Sequence, residues 1–411
     1  MRLIKNALIE VENGYAKRDV LFNDETILDI QESITEKQDY DITEANGAYL
    51  LPGITDLNVR LANNILSKKN LEKLVFSARK GGVTSAVIMS DFIPRLESST
   101  LLDFLKTSFD NLAINLNVNV PLANEENDKL NNIATLLNNG ASAIFSNSNI
   151  NLNLLKRGLQ YADMKKKPFF CFCYEPNLDD QGLMNEGEIS SKLGLSGISK
   201  SSESIEVAKI AELSLDFDAK IVFQSISTKR SLEIVNMAKT KRDGLFSEVS
   251  IHHLLKNDQN CDGFNTYAKI LPPLRDEKER LCLLDEIKKG SVDLLTSAHS
   301  PKSVLYKDVA FWDAHFGIGG VEEFFKLAYT FLVKKEGLSM NQLMKMCSFN
   351  PSTVLGLENK GKIEVGFDAD MFIFDPHHET IIGNKTSMYD GQKLYGDIKE
   401  VFVGNANRRF C

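Results

Sequence analysis

The sequence has no histidine before residue 252, no CxxC pair, no run of 18 apolar residues and no stretch that gathers its positive charge. Each shortage closes off a class of function. All six histidines (His252, His253, His299, His315, His377 and His378) lie beyond residue 250, so no metal site can draw histidine ligands from the first 250 positions. The six cysteines (Cys171, Cys173, Cys261, Cys282, Cys347 and Cys411) are scattered, and Cys171-x-Cys173 falls in an apolar run that reads as a buried strand. Free thiols in a reducing cytoplasm are the expectation. No candidate membrane span exists, and the opening ten residues alternate like a strand rather than forming the apolar centre of a signal peptide. With 48 Lys and Arg against 56 Asp and Glu, the net charge of -8 offers no general attraction for nucleic acid or an anionic membrane.

What is present is an ordinary globular composition. The 411 residues, 43% hydrophobic and 25% charged, suffice for one large domain and a smaller one. Residues 3–12, 14–22, 26–30 and 47–51 form short alternating segments separated by turn signals, and so do 361–364, 370–374, 379–382 and 398–403, with Gly366-Phe367-Asp368 as a turn. These two β-rich ends, 1–52 and 356–411, are expected to pack as one sandwich. Between them, residues 53–355 alternate apolar runs (85–89, 143–145, 168–173, 220–223, 292–295) with helical patterns such as 150–166 and 202–216. Repeated β-then-α units over some 300 residues predict an α/β fold, a (β/α)8 TIM barrel, whose chemistry would sit at the C-terminal ends of the strands.

An ordered set of motifs narrows the family. Pro52-Gly53-Ile54-Thr55-Asp56-Leu57-Asn58-Val59-Arg60 is followed by Gly81-Gly82-Val83-Thr84, Met184-Asn185-Glu186-Gly187-Glu188, Ser227-Thr228-Lys229 and Glu248-Val249-Ser250-Ile251-His252-His253-Leu254. Pro272-Pro273-Leu274-Arg275, His299-Ser300-Pro301, Gly317-Ile318-Gly319-Gly320, Asn350-Pro351-Ser352 and Gly366-Phe367-Asp368-Ala369-Asp370 complete it. In this order the segments resemble the dihydroorotases of the longer, allantoinase- and hydantoinase-like type within the amidohydrolase superfamily, over essentially the whole chain. The resemblance implies a barrel with a β-sandwich built from both ends. It also implies a zinc-activated water that opens the cyclic amide of dihydroorotate, interconverting it with carbamoyl aspartate in pyrimidine biosynthesis.

That chemistry needs imidazole and carboxylate ligands, because Zn2+ binds neutral nitrogen and anionic oxygen and must lower the pKa of its water to about 7. Matched to the family pattern, the His-x-His pair is Asn58 and Arg60, the aspartate that follows the Ala-Phe-Ser segment is Asn147 or Ser148, and the two later histidines are Phe172 and Ser225. The catalytic aspartate is Ala298. None of these is a family ligand, so the expectation is no metal and no catalytic residue. Arg60 would repel a divalent ion by roughly 8 kcal/mol at 4 Å and an effective dielectric near 20, and is expected to take the metal's place, pairing with Asp56 or Asp91. Substrate positions depart as well: the carboxylate-clasping arginine is Ala62, an asparagine is Asp91, another is Leu271, and the last histidine of the catalytic loop is Lys302. His299 remains as a relic.

Blander readings cover the rest. His252 and His253, read as neighbours on a strand, face opposite ways and serve structure. Cys171 and Cys173 point to one face and only pack. Lys165-Lys166-Lys167 and Lys334-Lys335 are solvated helix ends. The reading that follows is a dihydroorotase-like protein without catalysis, kept as a scaffold for aspartate transcarbamoylase and itself expected to be a homo-oligomer. The alternatives are an active dihydroorotase or other cyclic amidohydrolase with an atypical site, and a sensor that holds an anionic or zwitterionic small molecule with Arg60, Lys302 and Asp91.

Overall fold

The computed structural model describes residues 1–12, 14–109, 112–179 and 181–404. Cys411 and the last residues of the C-terminal segment assigned to the sandwich lie outside them. Five strands come first: β1 (Arg2–Val11), β2 (Gly14–Phe22), β3 (Ile27–Gln31), β4 (Asp41–Glu44) and β5 (Tyr49–Pro52). The barrel strands β6 (Ile54–Val59), β7 (Val83–Ile88), β8 (Asn115–Pro121), β9 (Ala143–Asn147) and β10 (Phe169–Phe172) follow, then the short pair β11 (Met184–Asn185) and β12 (Gly197–Ile198). After β13 (Ile221–Gln224), β14 (Leu245–Ser250) and β15 (Leu294–Thr296) the chain returns as β16 (Met371–Ile381) and β17 (Lys393–Phe402).

Strands β6 to β10 and β13 to β15 form one eight-stranded parallel sheet in sequential order. It closes on itself where Val59 bridges His299 and the Arg60 N–H donates to the His299 carbonyl at 2.7 Å. Strands covered on both faces are enclosed along their whole length, as in Val83–Ile88, where every residue is buried, Thr84 and Ser85 included. The covering helices are amphipathic. In Lys68–Lys80 the buried residues Leu71, Leu74, Val75 and Ala78 recur at helical spacing, and the Ser67 side chain caps the first turn by accepting from the Asn70 N–H.

The two chain ends share a second sheet of seven strands in the order β17-β16-β5-β1-β2-β3, with β4 also paired to β1. Laid flat, β2 and β17 would stand about 19 Å apart at about 4.8 Å per step. Phe22 and Phe402 nonetheless meet edge to face at 5.1 Å between ring centroids, and Arg2 of β1 bridges Glu400 of β17 at 3.0 Å. The sheet is folded over on a private core that includes Ile4, Val20, Phe22, Leu50, Met371 and Phe402, and is the β-sandwich expected from the two ends. Two details differ from the sequence reading. Residues 361–364 form no strand but a turn-rich link, and the charged segment Asp41–Glu44 does form one.

Only Gly53 separates the last N-terminal sandwich strand, β5, from the first barrel strand, β6. A Cβ at Gly53 would overlap the Thr84 side chain, so the close approach of β6 to β7 there requires glycine. Among the described residues no helix is long and apolar enough to cross a membrane.

Candidate functional site at the mouth of the barrel

The C-terminal strand ends surround a cavity of about 440 Å³. Arg60, Asp91, Asn147, Phe172, Ser225, Leu271, Ala298 and Lys302, all picked out from the sequence, line it together with Asn64, Asn149, Tyr174, Ser250, Ser300 and Phe316. Asn58 lies beneath, fully enclosed. Ala62 and His299 do not reach this cavity. They line a second one of about 710 Å³ behind Arg60 and Lys302, against helix Lys68–Lys80. A bulge in β6 between Asp56 and Val59 re-aims the side chains that follow it, as bulges at barrel rims do. Ser225 and Ala298 are held at φ of 54° and 43°, left-handed backbone that costs an L-residue about 1 kcal/mol or more.

Three of the positions that the resemblance matches to metal ligands, Asn58, Arg60 and Ser225, are joined by hydrogen bonds. Arg60 Nε donates to Asp91 Oδ2 at 2.6 Å and Arg60 Nη1 to Asn58 Oδ1 at 2.9 Å. Asn58 Nδ2 donates in turn to Ser225 Oγ at 3.1 Å and to Glu248 Oε1 at 2.7 Å. Thr296 Oγ1 adds a bond to the same Glu248 oxygen at 3.0 Å. The partner of Arg60 is therefore Asp91 and not Asp56, whose carboxylate accepts the backbone N–H groups of Asn58 and Ser297. Burial pushes Glu248 up to about 7, against the hydrogen bonds from Asn58 and Thr296, with the nearby Asp56 charge adding to the rise. Asp56 itself is pushed up to about 6 by burial. A polar chain thus runs from the cavity wall at Arg60 to a carboxyl group in the barrel interior.

The histidines are committed elsewhere. His252 and His253 sit on the short helix Ile251–Leu255 that follows β14, which corrects their reading as strand residues; both are buried at the edge of the cavity. His252 Nδ1 meets the Tyr389 hydroxyl at 2.9 Å, and His253 bonds through Nδ1 to Ser250 Oγ and through Nε2 to the Pro272 carbonyl. His299 Nδ1 accepts the backbone N–H groups of Gly320 and Val321, which ties the end of β15 to the following loop. Burial holds all three rings neutral, lowering His252 and His299 to about 3 and His253 to about 4. His299 is a strut, and its one lone pair is occupied.

Zinc does not fit this donor set. Phe172 and Ala298 carry no donor atom, Asn58 is bonded on both its amide atoms, and a guanidinium projects where a cation would have to sit. Among the described residues no three His, Cys, Asp or Glu side chains gather as metal ligands would. Lys302 adds a second cation to the wall; burial and the neighbouring Arg60 lower its pKa, while Asp91 opposes the shift.

Comparison with known proteins places the chain. It is 33% identical to the dihydroorotase of Ruminiclostridium cellulolyticum over 98% of this chain and 97% of that protein. The chain belongs to the dihydroorotase family. A dihydroorotase from Caldanaerobacter subterraneus subsp. tengcongensis is 28% identical over 98% of the chain and 95% of its own length, and the amidohydrolase family model matches residues 298–405. Among solved structures, L-hydantoinase (dihydropyrimidinase) from Arthrobacter aurescens aligns with a TM-score of 0.86 at 18% identity, covering 98% of this chain and 96% of that one. D-hydantoinase from Thermus sp. gives 0.85 at 20% identity, with 98% and 94% covered. These two share the fold with this dihydroorotase relative.

In the sequence Glu248 entered only as the first residue of a family motif, with no role, and Thr296 and Asn64 were not singled out. Glu248 stands alone as a charge within the strand Leu245–Ser250, and a lone acid in a buried run was the available signal. Nothing in the local pattern of Thr296 or Asn64 distinguishes them from ordinary polar residues near strand ends.

Proposed function

We propose that this member of the dihydroorotase family is a non-catalytic subunit, a cytoplasmic dihydroorotase-like scaffold for aspartate transcarbamoylase in pyrimidine biosynthesis, assembled as an oligomer. The observation that carries the loss of catalysis is the Arg60–Asn58–Glu248 chain, in which the residues at the His-x-His positions bind each other and a buried carboxyl group. Hydrolysis in this family, as the resemblance implies, requires a hydroxide generated on a metal. The residues of this chain supply neither the ligands nor a strong substitute base beside the cavity, since burial lowers His252 and His299 to about 3 and His253 to about 4. What persists is the frame, with the barrel closed and the sandwich complete, and a retained frame suits a partner-binding role.

The test is dihydroorotate turnover in both directions by the purified protein, with and without added Zn2+, and metal content measured on the same sample. Neither turnover nor bound zinc is expected; stoichiometric zinc with turnover overturns the reading and favours the active enzyme that the names of the relatives suggest. The scaffold role is tested by mixing the chain with the aspartate transcarbamoylase of its own cell and measuring sedimentation. A faster-sedimenting joint species is expected. Independent sedimentation of the two proteins excludes the partnership.

A further inference from the structure

We propose that the cavity at the barrel mouth binds a free α-amino acid, with an acidic side chain preferred, its ammonium group on Asp91 and its carboxylates on Lys302 and Arg60. The inference rests on the non-catalytic reading, because it treats the strand-end cavity as a binding site and not as a reaction site.

The cavity wall carries charge of both signs. Its charged side chains are Arg60, Lys302 and Asp91, two cations and one anion, while the histidines at its edge are neutral. A complementary ligand therefore bears one positive group and two negative ones. An α-amino acid with a second carboxylate meets that count, and a simple dicarboxylate leaves Asp91 facing like charge. The hydrogen-bonding capacity agrees. Asp91 is one third exposed in its side chain; Oδ2 accepts from Arg60, while Oδ1 is itself buried and has no hydrogen-bond partner among the described residues. Each carboxylate oxygen accepts about two bonds, so Oδ2, with its one bond from Arg60, keeps a place for a donor in the cavity. Lys302 Nζ, with three protons to donate, makes one hydrogen bond there, to Asn64 Oδ1 at 2.9 Å. Asn147, Asn149, Ser225 and Ser300 offer further donors and acceptors, and Phe172 and Phe316 give an apolar wall for a short side chain. The volume of about 440 Å³ lies within the range of small-molecule sites, roughly 300–1,000 Å³.

The feature that separates this ligand from those implied by the family resemblance is the ammonium group. Dihydroorotate and carbamoyl aspartate carry neutral amide or ureido nitrogen, which cannot neutralise Asp91. A charge-assisted contact on one side chain changes affinity by about tenfold or more.

The test uses the full-length protein and equilibrium dialysis with each of the twenty free L-amino acids, alongside the N-carbamoyl form of any that binds. The expected result is saturable binding of an acidic amino acid, at least about tenfold weaker binding of its N-carbamoyl form, and loss of that discrimination in Asp91→Asn. Lys302→Met should weaken both forms alike. Because the N-carbamoyl comparison is made on the unaltered chain, it reads the ammonium contact even if a variant fails to fold. Equal binding of the two forms, or no amino acid bound at millimolar concentration, overturns the proposal. Turnover of dihydroorotate would overturn the non-catalytic reading instead, and the two failures are told apart by which assay gives the signal.

Discussion

Arg60 Nε lies 2.6 Å from Asp91 Oδ2, so one ion pair ties the end of β6 to the segment after β7 at the mouth of the barrel. The guanidinium also holds Asn58, and through it Glu248. Such a pair is worth most where its members are partly enclosed, and here both are. A double-mutant cycle on Arg60→Ala and Asp91→Ala, read by urea denaturation, should give a coupling of about 1–2 kcal/mol. A coupling near zero would reduce the pair to a surface contact.

Restoring the first two family ligands should not restore a metal site. In Asn58→His, Arg60→His the other positions remain Asn147, Phe172, Ser225 and Ala298, which leaves two imidazoles where a stable zinc site needs three or four donors. Metal analysis after zinc loading and dialysis should find far less than one ion per chain. A full equivalent would mean that ligands outside these positions complete the site.

Glu248 makes stability depend on pH in a direction opposite to that of a salt-bridged acid. Its folded value of about 7 lies above the ordinary 4.5, so between these the folded chain keeps a proton that the unfolded chain has released. Stability therefore falls as pH rises through that window and levels off above it. Glu248→Gln removes the effect. Its stability relative to the unaltered protein should rise between about pH 5 and pH 8, by a margin on the order of 3 kcal/mol. Thermal melts across that range check the sign, and a difference that is flat in pH would show that Glu248 is ionised in the fold throughout.

Gly396 in β17 has φ of +89°, and a Cβ there would overlap the ring of Phe374. Gly396→Ala combines backbone strain with overpacking and should cost about 2–4 kcal/mol. The loss should appear as a lower Tm.

Most of the frame was legible because each layer has its own period. Runs such as 85–89 and 220–223 become barrel strands, and helix Leu152–Lys165 falls within two residues of the pattern that predicted it. Asp41–Glu44 was not legible, since DITE has no apolar alternation and is a strand only because β1 offers it a parallel partner. At the site, the ordered motifs located Arg60, Asp91, Asn147, Phe172, Ser225 and Lys302 on one cavity, while Ala62 and His299 turned out to face another. The choice between Asp56 and Asp91 as the partner of Arg60 depended on the β6 bulge, a register irregularity that no single-strand pattern encodes. The link from Asn58 to Glu248 spans 190 positions, and only closure of the barrel brings them together.

The pairing of β5 with β16, Met371 opposite Pro52 and Phe374 opposite Tyr49, also sets an order of events during synthesis. The first five strands leave the ribosome more than three hundred residues ahead of their neighbour. Until then β5 carries an unsatisfied edge, and β1 to β4 cannot bury Phe22 against Phe402. The barrel can assemble on the nascent chain, but the sandwich is completed only after the C-terminal strands emerge, so a truncated translation product would present an open sheet edge beside an otherwise folded barrel.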